Sequence, residues 1–475
     1  MTHIHLIGIG GSGLSAIARL LKERGYTVSG SDQTPSPLIA ELALAGIAVM
    51  IGHDPQHIHG ADLVLRSSAI PDSNCEVQAA QQAGIPVLKR ADFLNELLKD
   101  YQTLAVAGSH GKTTTTALLA WLLHSLGEHP SYLIGGISKN LGVNARADRG
   151  RHFVIEADEY DHMFLGLTPQ VAIVLNVEHD HPDCYPTAAD YRQAFVQFVQ
   201  RLRPATTALT SSESVTPLPL LLSCYDDPIS RGLSAEIPAG CRAMTFGLQA
   251  GAEYRAEDVR RNSWGGVSFR LTRLGQTLLE EVNLQIPGQH NASNACAALA
   301  ALYELGFDKQ LLQLAHSATE FKGAGRRFDL LGEAAGITII NDYAHHPTEI
   351  RATLAAARTR YPQSRIWAVW QPHTYSRTQT LLNDFCNAFN QADRVIITPI
   401  YAAREKSTGF TNSHILANFC TPEQAQAVSS LKEATQILID SLSAGDVLIV
   451  LSAGDADSIG QEVFNHFHQR EVPNA

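Results

Sequence analysis

Gly108-Ser109-His110-Gly111-Lys112-Thr113-Thr114 stands between an apolar run, Thr103–Ala107, and a segment, Thr113–Leu126, whose apolar residues recur at helical spacing. A strand, a glycine-rich turn and a helix in that order form a phosphate cradle, because the free N–H groups of the turn and the positive end of the helix dipole face one point. Lys112 is placed to offset charge on the β- and γ-phosphates of ATP, and the Thr113 hydroxyl to reach Mg2+. Gly108, Ser109, His110, Gly111 and Thr114 complete the expected ATP-binding turn. The long P-loop pattern has glycine where this chain has Val106, so GxxGKT is a short variant of it.

Two acidic stretches extend the argument. Glu156-Ala157-Asp158-Glu159-Tyr160-Asp161 closes the strand-like run Phe153–Glu156, and Asn176-Val177-Glu178-His179-Asp180-His181-Pro182-Asp183 closes Ala172–Asn176. Strand ends in one parallel sheet meet at one rim. Thr113, Glu156 and His181 are therefore candidate ligands for Mg2+ ions that bridge the phosphates. Glu159, Asp161 and Asp183 read equally well as ordinary solvated loop acids.

An earlier glycine turn, Gly8-Ile9-Gly10-Gly11-Ser12-Gly13, follows the strand-like His3–Ile9 and opens a helical pattern, Gly13–Gly25. Glycines at its first, third and sixth positions match the dinucleotide fingerprint, and Asp32 ends the next strand, about 20 residues on, where it can take a ribose hydroxyl. Gly10, Gly11, Ser12, Gly13 and Asp32, with Ser67 at a further strand end, are the candidates for a nucleotide-diphosphate site. A purely structural strand–helix turn is the alternative, and the motif does not say which nucleotide binds.

The surrounding chain sets the fold class: α/β, in three domains. Its 475 residues, at roughly 150 per domain, suggest about three. Residues 1–101 alternate strands (Thr27–Ser31, Leu63–Ser67, Pro86–Leu88) with helical patterns and read as a Rossmann-like domain, closed by a linking helix at Asp92–Asp100. Residues 102–322 read as a P-loop ATPase-like α/β domain. It has a further strand at Thr206–Leu209, an antiparallel section from about Met244 to Ile286, and helices at Asn291–Glu304 and Asp308–Ala318. A Gly- and Arg-rich hinge, Phe321–Phe328, leads into residues 323–475, a second Rossmann-like domain with strands at Thr338–Asn341, Ile366–Trp370, Arg394–Thr398 and Asp446–Leu451.

Composition narrows the function. Hydrophobic residues are 45% and charged residues 17% of the chain, a globular balance. A net charge of −11 disfavours a nucleic-acid partner. Cys75, Cys184, Cys224, Cys241, Cys296, Cys386 and Cys420 show no CxxC pair and read as reduced thiols. No apolar run approaches the roughly 20 residues of a membrane span. These features predict a soluble, cytoplasmic protein with neither a membrane nor a nucleic acid as partner.

With GSHGKTTTT (108–116), EADEYD (156–161), NVEHDHPD (176–183), GQHNASN (288–294), GAGRRFDLLG (323–332) and NDYAHHPTE (341–349) in this order, the whole chain resembles the Mur ligase family. The combination of GIGGSG, HGKTTTT, DYAHHPTE and QPHTYSRT is similar to those members that join L-alanine to UDP-N-acetylmuramate. The resemblance implies a UDP-sugar-binding N-terminal domain, a central ATP-binding domain and a C-terminal domain that carries the amino-acid site. It implies Lys112 on the γ-phosphate, Thr113 and Glu156 on one Mg2+, and His181 on a second. His290, Asn291 and Asn294 would surround the adenine, and Arg327 and Asp342 would reach ATP across the hinge. His345 and Arg377 would face the amino acid; where the family often has a second Arg after QPH, this chain has Thr374. The implied activity is ATP-dependent amide formation through an acyl phosphate.

Three rival readings follow. A murein-peptide ligase of the same family would add a recycled tripeptide in place of alanine. An NAD-dependent oxidoreductase would use the first glycine turn but leave Lys112, Glu156 and His181 without a role. A catalytically silent nucleotide-binding scaffold would have no use for an intact Lys112.

Overall fold

A computed structural model describes residues 2–203, 218–403, 405–417, 419 and 424–471. Strands β1 (His3–Ile7), β2 (Thr27–Asp32), β3 (Ala48–Ile51), β4 (Leu63–Arg66) and β5 (Val87–Lys89) pair in parallel, in the order β3-β2-β1-β4-β5. The helix Ser12–Glu23 buries Leu14, Ile17, Leu20 and Leu21, a stripe at helical spacing, against this sheet. Strand order reverses beside β1, and at such a switch point the strand ends leave a crevice. The turn Gly8–Gly13 lies there.

The second sheet joins β6 (Gln102–Ala107), β7 (Ser131–Leu133), β8 (Ala145–Arg146), β9 (His152–Glu156), β10 (Val171–Val174), β11 (Leu220–Cys224), β12 (Arg242–Gly247), β13 (Tyr254–Arg261), β14 (Val267–Arg273) and β15 (Gln276–Leu284). Their order is β15-β14-β13-β12-β11-β10-β6-β9-β7-β8. The strands from β12 through β10, β6 and β9 to β7 run parallel, and both β6 and β10 are almost wholly buried. Such strands need helices on both faces. Lys112–Ser125 and Gln289–Leu302 pack on one face, and Ala188–Val199 lies in the core on the other.

The antiparallel section starts later than alternation suggests. β12 is parallel to both neighbours, and only β13, β14 and β15 form an antiparallel meander. Polar–apolar alternation reports one-sided burial and carries no strand direction. The short helix Pro228–Gly232 between β11 and β12 makes that connection a crossover. The expected strand at Thr206–Leu209 lies outside the described residues. The expected helix at Asp308–Ala318 begins at Leu311, after one turn of 3-10 helix, Asp308–Gln310.

A third sheet, β16 (Asp329–Ala334), β17 (Ile337–Asp342), β18 (Ile366–Trp370), β19 (Arg394–Ile397), β20 (Ala425–Ala427) and β21 (Val447–Leu451), has the order β16-β17-β21-β18-β19-β20. All its pairs are parallel except the edge hairpin β16–β17. Cys75, Cys184, Cys224, Cys241 and Cys296 are free thiols; Cys420 lies outside the described residues. Among the described residues no helix is long and apolar enough to cross a membrane.

One buried carboxylate braces the first sheet. Glu76 accepts from Ser31 Oγ at 2.5 Å, from Asp54 N–H at 3.2 Å, and lies 2.7 Å from His57 Nδ1 and 3.6 Å from His5 Nε2. Burial raises its pKa, but the nearby His5 ring and bonds from Ser31, His57 and the Asp54 N–H outweigh that and hold it at about 2. A carboxylate depressed in this way contributes stability above its unfolded value, near 4.5, and loses it as pH falls through about 2. Glu76→Gln is expected to remove on the order of 3 kcal/mol at neutral pH. It should also flatten the acid limb of the N-terminal domain's urea midpoint between pH 4.5 and 2; an unaltered acid limb would contradict this role.

Candidate active site between the central and C-terminal domains

The turn after β6 is built on close approach. Gly111 has φ +84°, and a Cβ there would lie 2.9 Å from Asn294 Oδ1 and 3.1 Å from Leu175 Cδ1. Only glycine gives that conformation and that clearance together. The Lys112 ammonium folds back over the turn, donating to Gly108 O at 2.6 Å, and meets Glu159 Oε2 at 2.8 Å. Glu159 is fully buried and also accepts from Tyr191 Oη at 3.1 Å, with His181 Nε2 3.5 Å away. Burial pushes the Glu159 pKa up, yet Lys112 and His181 hold it at about 2; burial lowers Lys112, but Glu159, Asp158 and Glu156 raise it above its ordinary value. The reading of Glu159 as a solvated loop acid is therefore corrected: it is the counter-charge of the lysine.

Glu156, at the end of β9, accepts from Thr113 Oγ1 at 3.1 Å and from Gly135 N–H at 2.7 Å. Burial raises its pKa in spite of Lys112, so this carboxylate is short of positive charge. His181, with φ +55°, lies between Glu159 and Asp180, whose charges outweigh burial and raise its pKa. Lys112, Thr113, Glu156 and His181 thus meet at one rim, as the strand-end argument predicts.

The C-terminal domain closes over this rim. Arg377, buried, forks onto Asp180 Oδ1 at 2.7 and 2.9 Å, 3.1 Å from His373 Nδ1, and His345 stacks edge-on to His373. Burial takes His345 down to about 3, so its ring is neutral. Arg327 lies over the Tyr343 ring, 3.8 Å from Glu349 Oε1. Both Asp342 oxygens accept backbone N–H groups, from Phe328 and Ala344 at 2.7 Å, and burial raises its pKa to about 6. Asp342 therefore secures the hinge. Between the domains lies a cavity of ≈ 640 Å³, lined by His110, Asn291, Asn294, His290, Arg327 and Asp342 among others. Asn291 and Asn294 hydrogen-bond each other at 3.3 Å, and burial lowers His290 to about 4.

Further across, Asp32 Oδ2 accepts the Gly10 N–H at 2.8 Å, so one oxygen expected on a ribose is engaged in holding the first glycine turn. Ser67 borders the same turn: a Cβ on Gly8 would lie 3.0 Å from its own. The backbone of Gly10, Gly11 and Gly13 opens the helix Ser12–Glu23; the Ser12 side chain lies outside the described set. Arg90, which sequence reasoning missed, would meet a Cβ on Gly13 at 1.9 Å and reaches Asp158 at 3.3 Å. Glu178, Asp180 and Glu349 were also missed, although all three sit inside motifs already singled out. Each has a partner from another domain as well as its own, which no local pattern reveals.

Fold and site together define a three-domain α/β protein with one glycine turn at the switch point of its first sheet and another beside the interdomain cavity. The family models described as Mur ligase family, catalytic domain (residues 3–102), Mur ligase middle domain (106–302) and Mur ligase, glutamate ligase domain (326–454) all match. The chain belongs to the Mur ligase family. It is 42% identical over 463 residues to a UDP-N-acetylmuramate–L-alanine ligase of Alkaliphilus metalliredigens, covering 97% of this chain and 96% of that one. It is 42% identical over 473 residues to the protein of that name from Roseiflexus sp., covering 98% and 100%. A solved UDP-N-acetylmuramate-alanine ligase from Thermotoga maritima superposes with a TM-score of 0.82 at 27% identity, covering 99% and 100%. A murein peptide ligase from Psychrobacter arcticus, at 24% identity, shares the fold with a TM-score of 0.70.

The Lys112–Glu159 pair, largely shielded from solvent, can be tested apart from activity. Breaking a buried pair leaves one charge uncompensated, which costs roughly 3–5 kcal/mol, whereas removing both charges costs far less. Glu159→Gln and Lys112→Met are each expected to lower the central domain's urea midpoint by that order, with the double variant well short of the sum. Additive losses would rule out the pairing.

Proposed function

We propose that the chain joins L-alanine to the lactyl carboxylate of UDP-N-acetylmuramate at the expense of ATP, a step of peptidoglycan precursor synthesis carried out in the cytoplasm. The observation that carries this reading is the rim of Lys112, Thr113, Glu156 and His181, next to the turn residues His110, Gly111 and Thr114 that line the interdomain cavity, in a chain 42% identical over 97% of its length to an enzyme of that name. We assign residues 1–101 to the UDP-sugar, 102–322 to ATP and 323–475 to the amino acid.

A carboxylate is a poor electrophile. Its oxygen attacks the γ-phosphorus, ADP leaves, and an acyl phosphate forms. The amine of alanine then attacks the acyl carbon, the amine proton is lost, and phosphate departs. Lys112 swings between Glu159 and the γ-phosphate, where it and Arg327 offset the charge that spreads over the transferring group. The N–H groups of Gly108–Thr114 hold the other phosphates, and His290, Asn291 and Asn294 wall the adenine. Gly10, Gly11, Ser12, Gly13, Asp32 and Ser67 hold the UDP-sugar, and His345 and Arg377 face the amino acid. With Thr374 in place of a second arginine, Arg377 is the cation for the alanine carboxylate. Closure of the C-terminal domain excludes water from the acyl phosphate.

Mg2+ is supported by the donor set: Thr113 hydroxyl and Glu156 carboxylate are the hard oxygen ligands it prefers, and Glu156 is half-buried and short of positive charge. His181 is assigned to a second ion. When bound, Mg2+ neutralises phosphate charge and orients the γ-phosphoryl group.

Phosphate release with UDP-N-acetylmuramate, ATP and each amino acid tests the reading. L-Alanine is expected to give the main activity, with partial use of Ser or Gly because a methyl group discriminates by only about 1–3 kcal/mol. EDTA should abolish turnover and excess Mg2+ restore it. Lys112→Ala should lower kcat by at least about 100-fold, the scale of losing one charge-stabilising donor. Release with L-Ala-γ-D-Glu-meso-diaminopimelate in place of alanine would favour the tripeptide ligase.

A further inference from the structure

His110 in the phosphate turn and Glu178 after β10 belong to the central domain, whereas His346 caps the helix Pro347–Arg360 of the C-terminal domain. One ligand atom from each can be chosen so that all lie within 4.8 Å of one another. His110 Nε2 is 2.8 Å from Glu178 Oε2, and His346 Nδ1 is 3.8 Å from the same oxygen. Ligands about 2.0–2.1 Å from a tetrahedral ion stand about 3.3 Å apart, a value these separations bracket.

The surroundings match what a metal site needs beyond its ligands. Glu349 Oε1 lies 3.2 Å from His110 Nδ1, so the ring can donate there and present Nε2 as a lone pair, the carboxylate–histidine–metal arrangement. Thr348 Oγ1 donates to Glu178 Oε1 at 2.8 Å, which ties one carboxylate oxygen and leaves Oε2 for the ion. His346 is 3% exposed and its Nε2 has no partner, while its Nδ1, 3.3 Å from the Thr348 N–H, caps the helix, a contact that an ion on that nitrogen would replace. His110 and Glu178 line the interdomain cavity, which supplies access.

We propose that His110, Glu178 and His346 form a site for a divalent transition metal of the Zn2+ class, which staples the C-terminal domain to the phosphate turn. Two imidazoles and a carboxylate suit Zn2+, Co2+ or Ni2+ and are a poor set for Mg2+. The set shares no residue with Thr113, Glu156 and His181, and it does not depend on the ligase reading.

The test uses tag-free, full-length protein in saturating Mg2+. Calorimetric titration with Zn2+ is expected to show one equivalent bound, accompanied by a rise in Tm. Co2+ should give visible absorption bands that Zn2+ displaces. His346→Asn keeps a cap for the helix, because Asn is a good N-cap. It should weaken Zn2+ binding at least tenfold and remove the Tm rise, as should Glu178→Gln. Metal-free Tm values show whether both variants fold. No stoichiometric binding by the parent protein, or binding undiminished in both folded variants, would overturn the proposal.

Discussion

A partly buried lysine ammonium folded back onto backbone carbonyls needs a counter-charge, and the glycine turn is organised around the one that Glu159 supplies. Glu159 meets Lys112 at 2.8 Å, accepts from Tyr191, and faces His181. Tyr185 Oη donates to the Glu159 carbonyl at 2.5 Å, and Ser109 Oγ lies 3.0 Å from Tyr191 Oη. The turn, the β9 end and the β10 end are thereby locked into one network. An unpaired charge in such surroundings would be costly, so the network constrains the position of Lys112.

The second constraint is between domains. Asp180 engages Arg377, Glu178 engages Thr348, and His110 sits between Glu178 and Glu349. All three contacts cross from the central to the C-terminal domain, and all three surround the cavity or the rim beside it. Opening the domains would expose each of these charged groups to water while separating it from its partner. Closure and the geometry of the rim are therefore coupled, a property suited to a reaction whose acyl phosphate must be kept from water.

Legibility from the sequence depended on how local the signal was. The turn Gly108–Thr114 announces itself because a strand, glycines and a helix follow one another without a gap, and Glu156 and His181 because they stand where strands end. Glu159 stands three residues from Glu156, yet its burial depends on Tyr185 and Tyr191 arriving from further along the chain. Arg90 touches Gly13 across a gap that no local pattern spans. The direction of β12 was misread for a similar reason, since its neighbours, not its own residues, decide it.

By itself the sequence determined the α/β class, the two glycine turns and the chemical character of the rim, because each rests on residues within a few positions of one another and on short-range hydrogen bonding and dipoles. Only the tertiary structure decided which carboxylate answers Lys112, where Arg377 and Asp342 spend their hydrogen bonds, and which groups meet across the cavity. Burial and desolvation set those outcomes, and both are properties of the packed whole.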